Sequence, residues 1–160
     1  MKIYAVIDTN VIISALLSRN NDSATVRIME HLYDRNIIPV YNDEILEEYE
    51  SVLRRPKFNF TEEQIIATLK ALKEGGMTSE RLISNENFPD PKDVVFYEVA
   101  LSVEESYLVT GNIKHFPKKP FVVTPAEMLQ VIYQAKLPRS GMLSELCASY
   151  GKNRSSIWHI

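Results

Sequence analysis

Three acidic residues and one amide stand where a cation-dependent site could form. Asp8 ends an apolar run, Glu48 flanks the apolar stripe of a predicted helix, and Asp93 opens another helix. Asn112 follows the apolar run "YLVTG". All four side chains offer oxygen ligands, which suit hard cations such as Mg²⁺ or Mn²⁺ better than zinc. A cation held by such residues can activate water and stabilise the charge of a phosphodiester under attack.

The elements that must position these side chains alternate between strands and helices. The patterns predict strands at 2–7, 36–41, 81–84, 106–111 and 121–124, and helices at 9–17, 23–35, 43–54, 61–76, 90–104 and 125–136. A capping box of Thr61 with Gln64 opens the fourth helix, and Pro91 is expected in the first position of the fifth. This alternation predicts an α/β fold, a three-layer α/β/α sandwich with a mainly parallel central sheet.

The predicted topology brings the four polar residues together. Ligands of open parallel sheets bind beyond the carboxyl ends of the strands, where Asp8, Thr110 and Asn112 are expected. Glu48 flanks the buried stripe of its helix, and Asp93 lies in line with residues of the buried face of the next. Carboxylates held close together repel one another unless a cation neutralises them. The constellation therefore predicts a divalent metal site.

Each of these residues also has a purely structural explanation. Asp8 could cap the helix that follows it, and Glu48 could cover the core with its stem while its carboxylate reaches water. Asp90 and Asp93 could form a capping box, and Asn112 could be a turn residue after Gly111. Only the convergence of all four on one edge of the sheet favours the metal site.

Composition restricts the class of protein to which this chain can belong. The chain has 160 residues, with 45% apolar and 24% charged residues and a net charge of −3, which is ordinary for one globular domain and argues against a broad basic surface. No apolar run could span a bilayer and the N-terminus lacks the features of a signal peptide, so a cytoplasmic location is expected. We predict a domain at 1–137 and a partly helical extension at 138–160, in which Cys147 is an inert buried thiol.

Four motifs resemble the PIN domain family, a group of metal-dependent ribonucleases. They are "VIDTNVIISALL", "NDEILEEYESVLRRPKF", "DPKDVVFYEVALSVEESYLVTGN" and "IKHFP", in family order across residues 1–135. The resemblance is closest to the branch of toxins from toxin-antitoxin pairs. It implies a Mg²⁺- or Mn²⁺-dependent endoribonuclease that hydrolyses phosphodiester bonds of RNA, a homodimer, and an antitoxin protein that covers the site.

The resemblance also implies roles for individual residues. Asp8 and Asp93 match the metal-binding acids, and Glu48 matches the helix glutamate that binds the metal or orients it through water. Thr9 and Thr110 match the hydroxyl residues that fix the acids. These assignments predict that replacing Asp8 with Asn abolishes cleavage.

Asn112 departs from the family pattern, whose fourth position is often Asp. An amide can orient water but cannot act as a base. Lys114 and His115 follow it and could contact a phosphate backbone, while Asn10 could support the site.

Two other functions stay open: a weakly active or inactive PIN-like module that binds RNA or a partner protein, and a small-molecule phosphatase.

Overall fold

A computed structural model describes residues 2–137 and shows a five-stranded sheet with helices around it. The strands are β1 (Ile3–Ile7), β2 (Ile37–Tyr41), β3 (Met77–Thr78), β4 (Tyr107–Val109) and β5 (Val122–Val123). The helices are α1 (Thr9–Leu17), α2 (Ala24–Tyr33), α3 (Asp43–Leu53), α4 (Glu62–Gly75), α5 (Val94–Leu101) and α6 (Pro125–Ala135). Short 3₁₀ turns occupy Pro56–Phe58, Pro91–Asp93 and Ile113–His115.

The sheet has the order β3-β2-β1-β4-β5, and each neighbouring pair is parallel. Consecutive residues Ala5, Val6 and Ile7 of the central strand are fully buried. Since successive side chains of a strand point to opposite faces, helices must cover both faces of this sheet. The predicted α/β sandwich is confirmed.

The chain changes direction across the sheet at β1. It proceeds from β1 to β2 and β3 on one side, and returns through α5 to β4 on the other side of β1. Parallel sheets bind ligands at such a switch point, beyond the carboxyl ends of the two diverging strands. Asp8 directly follows β1 and Thr110 directly follows β4, so the fold places both residues at that point.

The helix-capping signals of the sequence are largely present. Thr61 and Gln64 form the predicted capping box of α4, and Ser23 caps α2 by accepting the Val26 backbone N–H. Pro91 stands at the first position of its turn, as predicted. These caps define where the helices begin and therefore which residues precede them.

Two sequence predictions of local structure are wrong. Residues 81–84 form no strand; the Leu82 backbone N–H donates to the Glu98 carbonyl instead, so this segment lies along α5. The third strand is the shorter β3. The helix expected at 90–104 begins as a 3₁₀ turn because Asp93 donates its N–H to the Asp90 carbonyl, three residues back, at 3.1 Å.

None of the helices within residues 2–137 has the length and apolarity needed to cross a membrane. The predicted extension 138–160, with Cys147, lies outside the described residues.

Candidate active site

A cavity of about 820 Å³ opens beyond the carboxyl end of β1, between α1, α3 and the start of α5. Three of the sequence-predicted acids line it together: Asp8, Glu48 and Asp93. Thr9 and Asn10 line it as well. The structure thus brings together residues that lie up to 85 positions apart in the sequence (93 − 8).

Asp8 occupies the N-cap position of α1, yet its side chain makes no capping hydrogen bond within that helix. Its Oδ2 instead accepts hydrogen bonds from Thr110 Oγ1 at 2.8 Å and from Asn10 Nδ2 at 3.1 Å. Only 6% of the residue is exposed. Capping therefore does not account for this carboxylate, which is held toward the cavity by partners from two separate segments.

The Thr110–Asn112 segment is tied to this carboxylate through its own hydrogen bonds. Thr110 Oγ1 accepts the Asn112 backbone N–H at 2.9 Å, and Asn10 Oδ1 accepts the Gly111 N–H at 3.0 Å. A Cβ atom on Gly111 would lie 3.2 Å from Asn10 Oδ1, which is tighter than ordinary contact. A glycine at this position therefore lets the segment approach Asn10 closely.

Asp93 is likewise free of a capping role. Asp90, not Asp93, caps the 3₁₀ turn, since Asp90 Oδ1 accepts the Lys92 N–H at 2.9 Å and no Asp90–Asp93 capping box forms. The Asp93 side chain is 15% exposed, and its Oδ2 lies 3.4 Å from His115 Nδ1. The turn geometry thus leaves the Asp93 carboxylate free of helix capping, with His115 beside it.

Both aspartates have raised pKa values, and the charge of Asp8 contributes to the rise at Asp93. Burial raises the pKa of the Asp8 carboxyl above its ordinary value, and hydrogen bonds, first that from Thr110, offset part of this rise. Burial, followed by the charges of Asp8 and Asp90, raises the pKa of Asp93 to about 6, while His115 acts in the opposite direction. Perturbed carboxyls in a cavity are typical of functional sites.

Two buried side-chain oxygens of the described residues accept no hydrogen bond: Thr9 Oγ1 and Asp93 Oδ2. Such atoms are costly unless a ligand satisfies them. Within residues 2–137 no group of three or more His, Cys, Asp or Glu side chains is arranged to hold a metal ion. Mg²⁺ usually keeps several waters and binds proteins through one or two carboxylates, so the pair Asp8 and Asp93 fits it.

The other predicted residues lie outside the cavity lining, at the turn that follows Gly111. Asn112 is exposed at the start of a 3₁₀ turn, where its side chain makes no capping bond, and Lys114 is exposed in the same turn. Neither residue is among the side chains that line the cavity, nor is His115. Of these three, only His115 contacts an acid of the site.

Sequence reasoning missed several residues of the cavity. Arg55, Phe58 and Lys92 line it beside the acids. Tyr49, fully buried in α3, donates a hydrogen bond to the carbonyl of Ile7, directly before Asp8. The motif "RRPKF" marked a helix end and gave no sign that this end faces the acids.

Comparison with known proteins agrees with this geometry. A family model described as PIN domain matches residues 4–114, which include every residue discussed at the site except His115. No curated protein and no solved structure compared with the chain matches it. PIN domains are typically nucleases and generally use divalent metal ions. Because the family match covers more than half of the chain, the protein belongs to the PIN domain family.

Proposed function

We propose that this protein is a metal-dependent endoribonuclease that hydrolyses phosphodiester bonds of RNA. The observation that carries the proposal is the pair of aspartates, Asp8 and Asp93, which come from distant segments and line one cavity. Neither carboxylate caps a helix, and each has a raised pKa. An arrangement that disfavours two negative charges close together favours a cation between them.

Asp8 and Asp93 would hold a Mg²⁺ or Mn²⁺ ion, and Glu48, which lines the same cavity, would orient it through water. When bound, such an ion supplies charge stabilisation for a phosphodiester under attack and lowers the pKa of water. Thr110 and Asn10 fix the orientation of Asp8 through their hydrogen bonds. Thr9 lines the same cavity, and its hydroxyl has no hydrogen-bond partner among the described residues.

Residues at the rim would assist substrate binding. His115 contacts Asp93 and could donate to a phosphate oxygen, and Lys114 adds positive charge in the same turn. Asn112 holds Thr110 through its backbone N–H, and its exposed amide can orient water near the cavity. Because this amide does not line the cavity, we expect Asn112→Ala to cost less activity than replacement of any acid.

We further propose that the protein is the toxin of a toxin-antitoxin pair, acts as a homodimer, and is inhibited by an antitoxin that covers the cavity. The order and spacing of the four sequence motifs support this assignment. Inhibition of RNA cleavage by a co-expressed partner protein would test it. A partner that binds without slowing cleavage would speak against it.

The first experiment is cleavage of a mixed single-stranded RNA by purified protein with Mg²⁺, Mn²⁺ or EDTA. We expect cleavage with either metal and none with EDTA. Asp8→Asn, purified identically, should be inactive, which excludes a contaminating nuclease.

The second candidate function, a module that binds RNA or a partner protein without cleaving, is favoured by the amide at Asn112. RNA binding by the wild type without metal-dependent cleavage would establish that module and refute the nuclease.

Thr110→Val is expected to reduce cleavage roughly 10- to 100-fold, the usual cost of removing a group that orients a metal ligand. Thr110 is fully buried, so valine fits its volume but leaves Asp8 Oδ2 and the Asn112 N–H without this hydroxyl. The measurement is kcat/KM together with Mn²⁺ affinity by calorimetry. Thr68→Val is the matched control, since the buried Thr68 hydroxyl donates to the Gln64 carbonyl in α4, away from the cavity lining. Equal effects of both variants would contradict the assigned role.

A further inference from the structure

Part of the cavity is not used by the proposed hydrolysis. Besides the acids, its lining includes the cations Arg55 and Lys92 and an apolar wall formed by Ile13, Leu17, Val52, Phe58 and Phe96. Asp8, Glu48, Asp90 and Asp93 repel a polyanion that enters the cavity. A substrate with phosphates therefore needs cations at the rim and a separate place for its apolar groups.

Arg55 differs sharply from its neighbour in its interactions. The Arg54 guanidinium is held by Glu62 at 2.6 Å and by Glu50 at 3.2 Å, and it does not line the cavity. The Arg55 side chain has no ion pair or hydrogen bond among the described residues, and it does line the cavity. Arg55 is therefore available for an oxyanion such as a phosphate, which the planar guanidinium group binds in bidentate fashion.

Solvent reaches the apolar wall beside Arg55 mainly at Leu17 and Phe58, because Ile13, Val52 and Phe96 are buried. Leu17 is 52% exposed although it lies next to the buried residues of α1. The Phe58 ring stacks on Phe60, with centroids 5.6 Å apart and planes at 14°, so it is held in place before any ligand arrives. Lys57 Nζ lies 5.1 Å from the centroid of Phe58 and adds a second positive charge at this position. A rigid aromatic ring with nearby cations matches a nucleobase attached to its phosphate.

We propose that Arg55, Leu17 and Phe58 form a subsite for one nucleotide next to the scissile phosphate, with Arg55 on its phosphate and the base against Leu17 and Phe58. This inference rests on the proposed ribonuclease function and assigns a substrate-binding role to the end of α3 and the turn that follows it. A base that occupies the wall has left its stack and its pairing partner. The subsite therefore selects an unpaired nucleotide at one defined position.

The test compares variants and substrates that isolate this contact. Arg55→Ala and Phe58→Leu are measured on an RNA with one cleavage site, and on the same RNA with an abasic ribonucleotide on either side of that site. Arg54→Ala is the matched charge control. Tyr133→Leu is the matched aromatic control, because Tyr133 is an exposed aromatic residue of α6 that does not line the cavity.

We expect Arg55→Ala and Phe58→Leu each to raise KM about tenfold with little change in kcat. Arg55→Ala should also reduce the salt dependence of RNA binding, measured with EDTA, by about one unit of slope. An abasic nucleotide at one flanking position should raise the KM of the wild type and abolish the difference between wild type and Phe58→Leu. Both control variants should bind and cleave like the wild type.

Three outcomes separate the subsite from the proposed function. Cleavage that is indifferent to Arg55, to Phe58 and to the abasic substitutions would overturn the subsite and leave the ribonuclease intact. Equal losses for Arg54→Ala and Arg55→Ala would likewise overturn it, since general charge would then explain the effect. RNA binding in EDTA that depends on Arg55, in a protein that cleaves nothing with any metal, would uphold the subsite and overturn the nuclease.

Discussion

Asp93→Asn is expected to abolish RNA cleavage and, in the same protein, to raise the thermal stability measured without metal. The carboxylate would hold the cation, and an amide cannot supply the negative charge, so activity should fall by roughly a thousandfold or more. The stability gain has a separate cause. Burial and the neighbouring charges of Asp8 and Asp90 raise the pKa of Asp93 to about 6, so its ionised form opposes folding.

The size of this stability gain depends on pH. The carboxyl contributes no penalty below its unfolded pKa of about 4, because it is protonated in both states. The penalty then grows as the pH rises and is complete above the folded pKa of about 6. With allowance for solvent contact, we expect the amide to gain about 1–2 kcal/mol at neutral pH, or a few degrees in melting temperature.

Melting curves with EDTA at pH 4 and pH 7.5 measure this gain, which should appear only at the higher pH. Added Mn²⁺ should stabilise the wild type more than the variant, since only the wild type retains both aspartates. Asp22→Asn provides a control at an exposed aspartate that does not line the cavity. Retained cleavage, or a lower melting temperature at pH 7.5, would contradict the assignment of Asp93.

The second large effect is on stability: Glu98→Ala should cost about 3 kcal/mol, because it removes a buried carboxylate and leaves its hydrogen-bond donors without that acceptor. Glu98 lies in α5 with its side chain 4% exposed, and it accepts hydrogen bonds from Arg81 at 2.8 Å and from the Ser84 N–H at 2.7 Å. These bonds fasten the irregular segment after β3 to α5. The same segment leads to Asp90 and Asp93. Loss of the Glu98 bonds should therefore also loosen the positions of these two aspartates.

Glu44→Ala is the matched control for this prediction. Glu44 binds the same Arg81 guanidinium at 2.9 Å, but its side chain is 56% exposed, so its removal should cost under about 1 kcal/mol. Chemical denaturation of both variants gives the comparison. A loss in Glu98→Ala no larger than in Glu44→Ala would show that the buried pair does not hold this segment in place.

Much of the fold could be predicted from local patterns. Apolar periodicity located the six helices, and alternating strands and helices indicated a parallel sheet, because both signals depend on residues near one another in sequence. The wrong strand prediction at 81–84, by contrast, arose from a contact with a residue distant in sequence. "RLIS" reads as an apolar strand, but Glu98, fourteen residues beyond Ser84, takes the hydrogen bonds that a strand partner would need.

The candidate site could likewise be predicted only in part from the sequence. Asp8, Glu48 and Asp93 could be named from the sequence because their positions follow from strand ends and helix faces. Whether Asp8 and Asp93 cap their helices could not be decided, since an N-cap and a site residue have the same sequence signature. The structure shows Asp8 bonded to Thr110, and Asp90 rather than Asp93 capping the turn.

The sequence by itself determined the class of fold, the acids and the family resemblance, because these depend on residue type and spacing along the chain. Only the tertiary structure decided which polar groups meet. The contact of Thr110 with Asp8 spans 102 positions, and the entry of Arg55 but not Arg54 into the cavity depends on how the end of α3 turns. Hydrogen bonds and side-chain directions of this kind are set by packing between distant segments, and no local pattern records them.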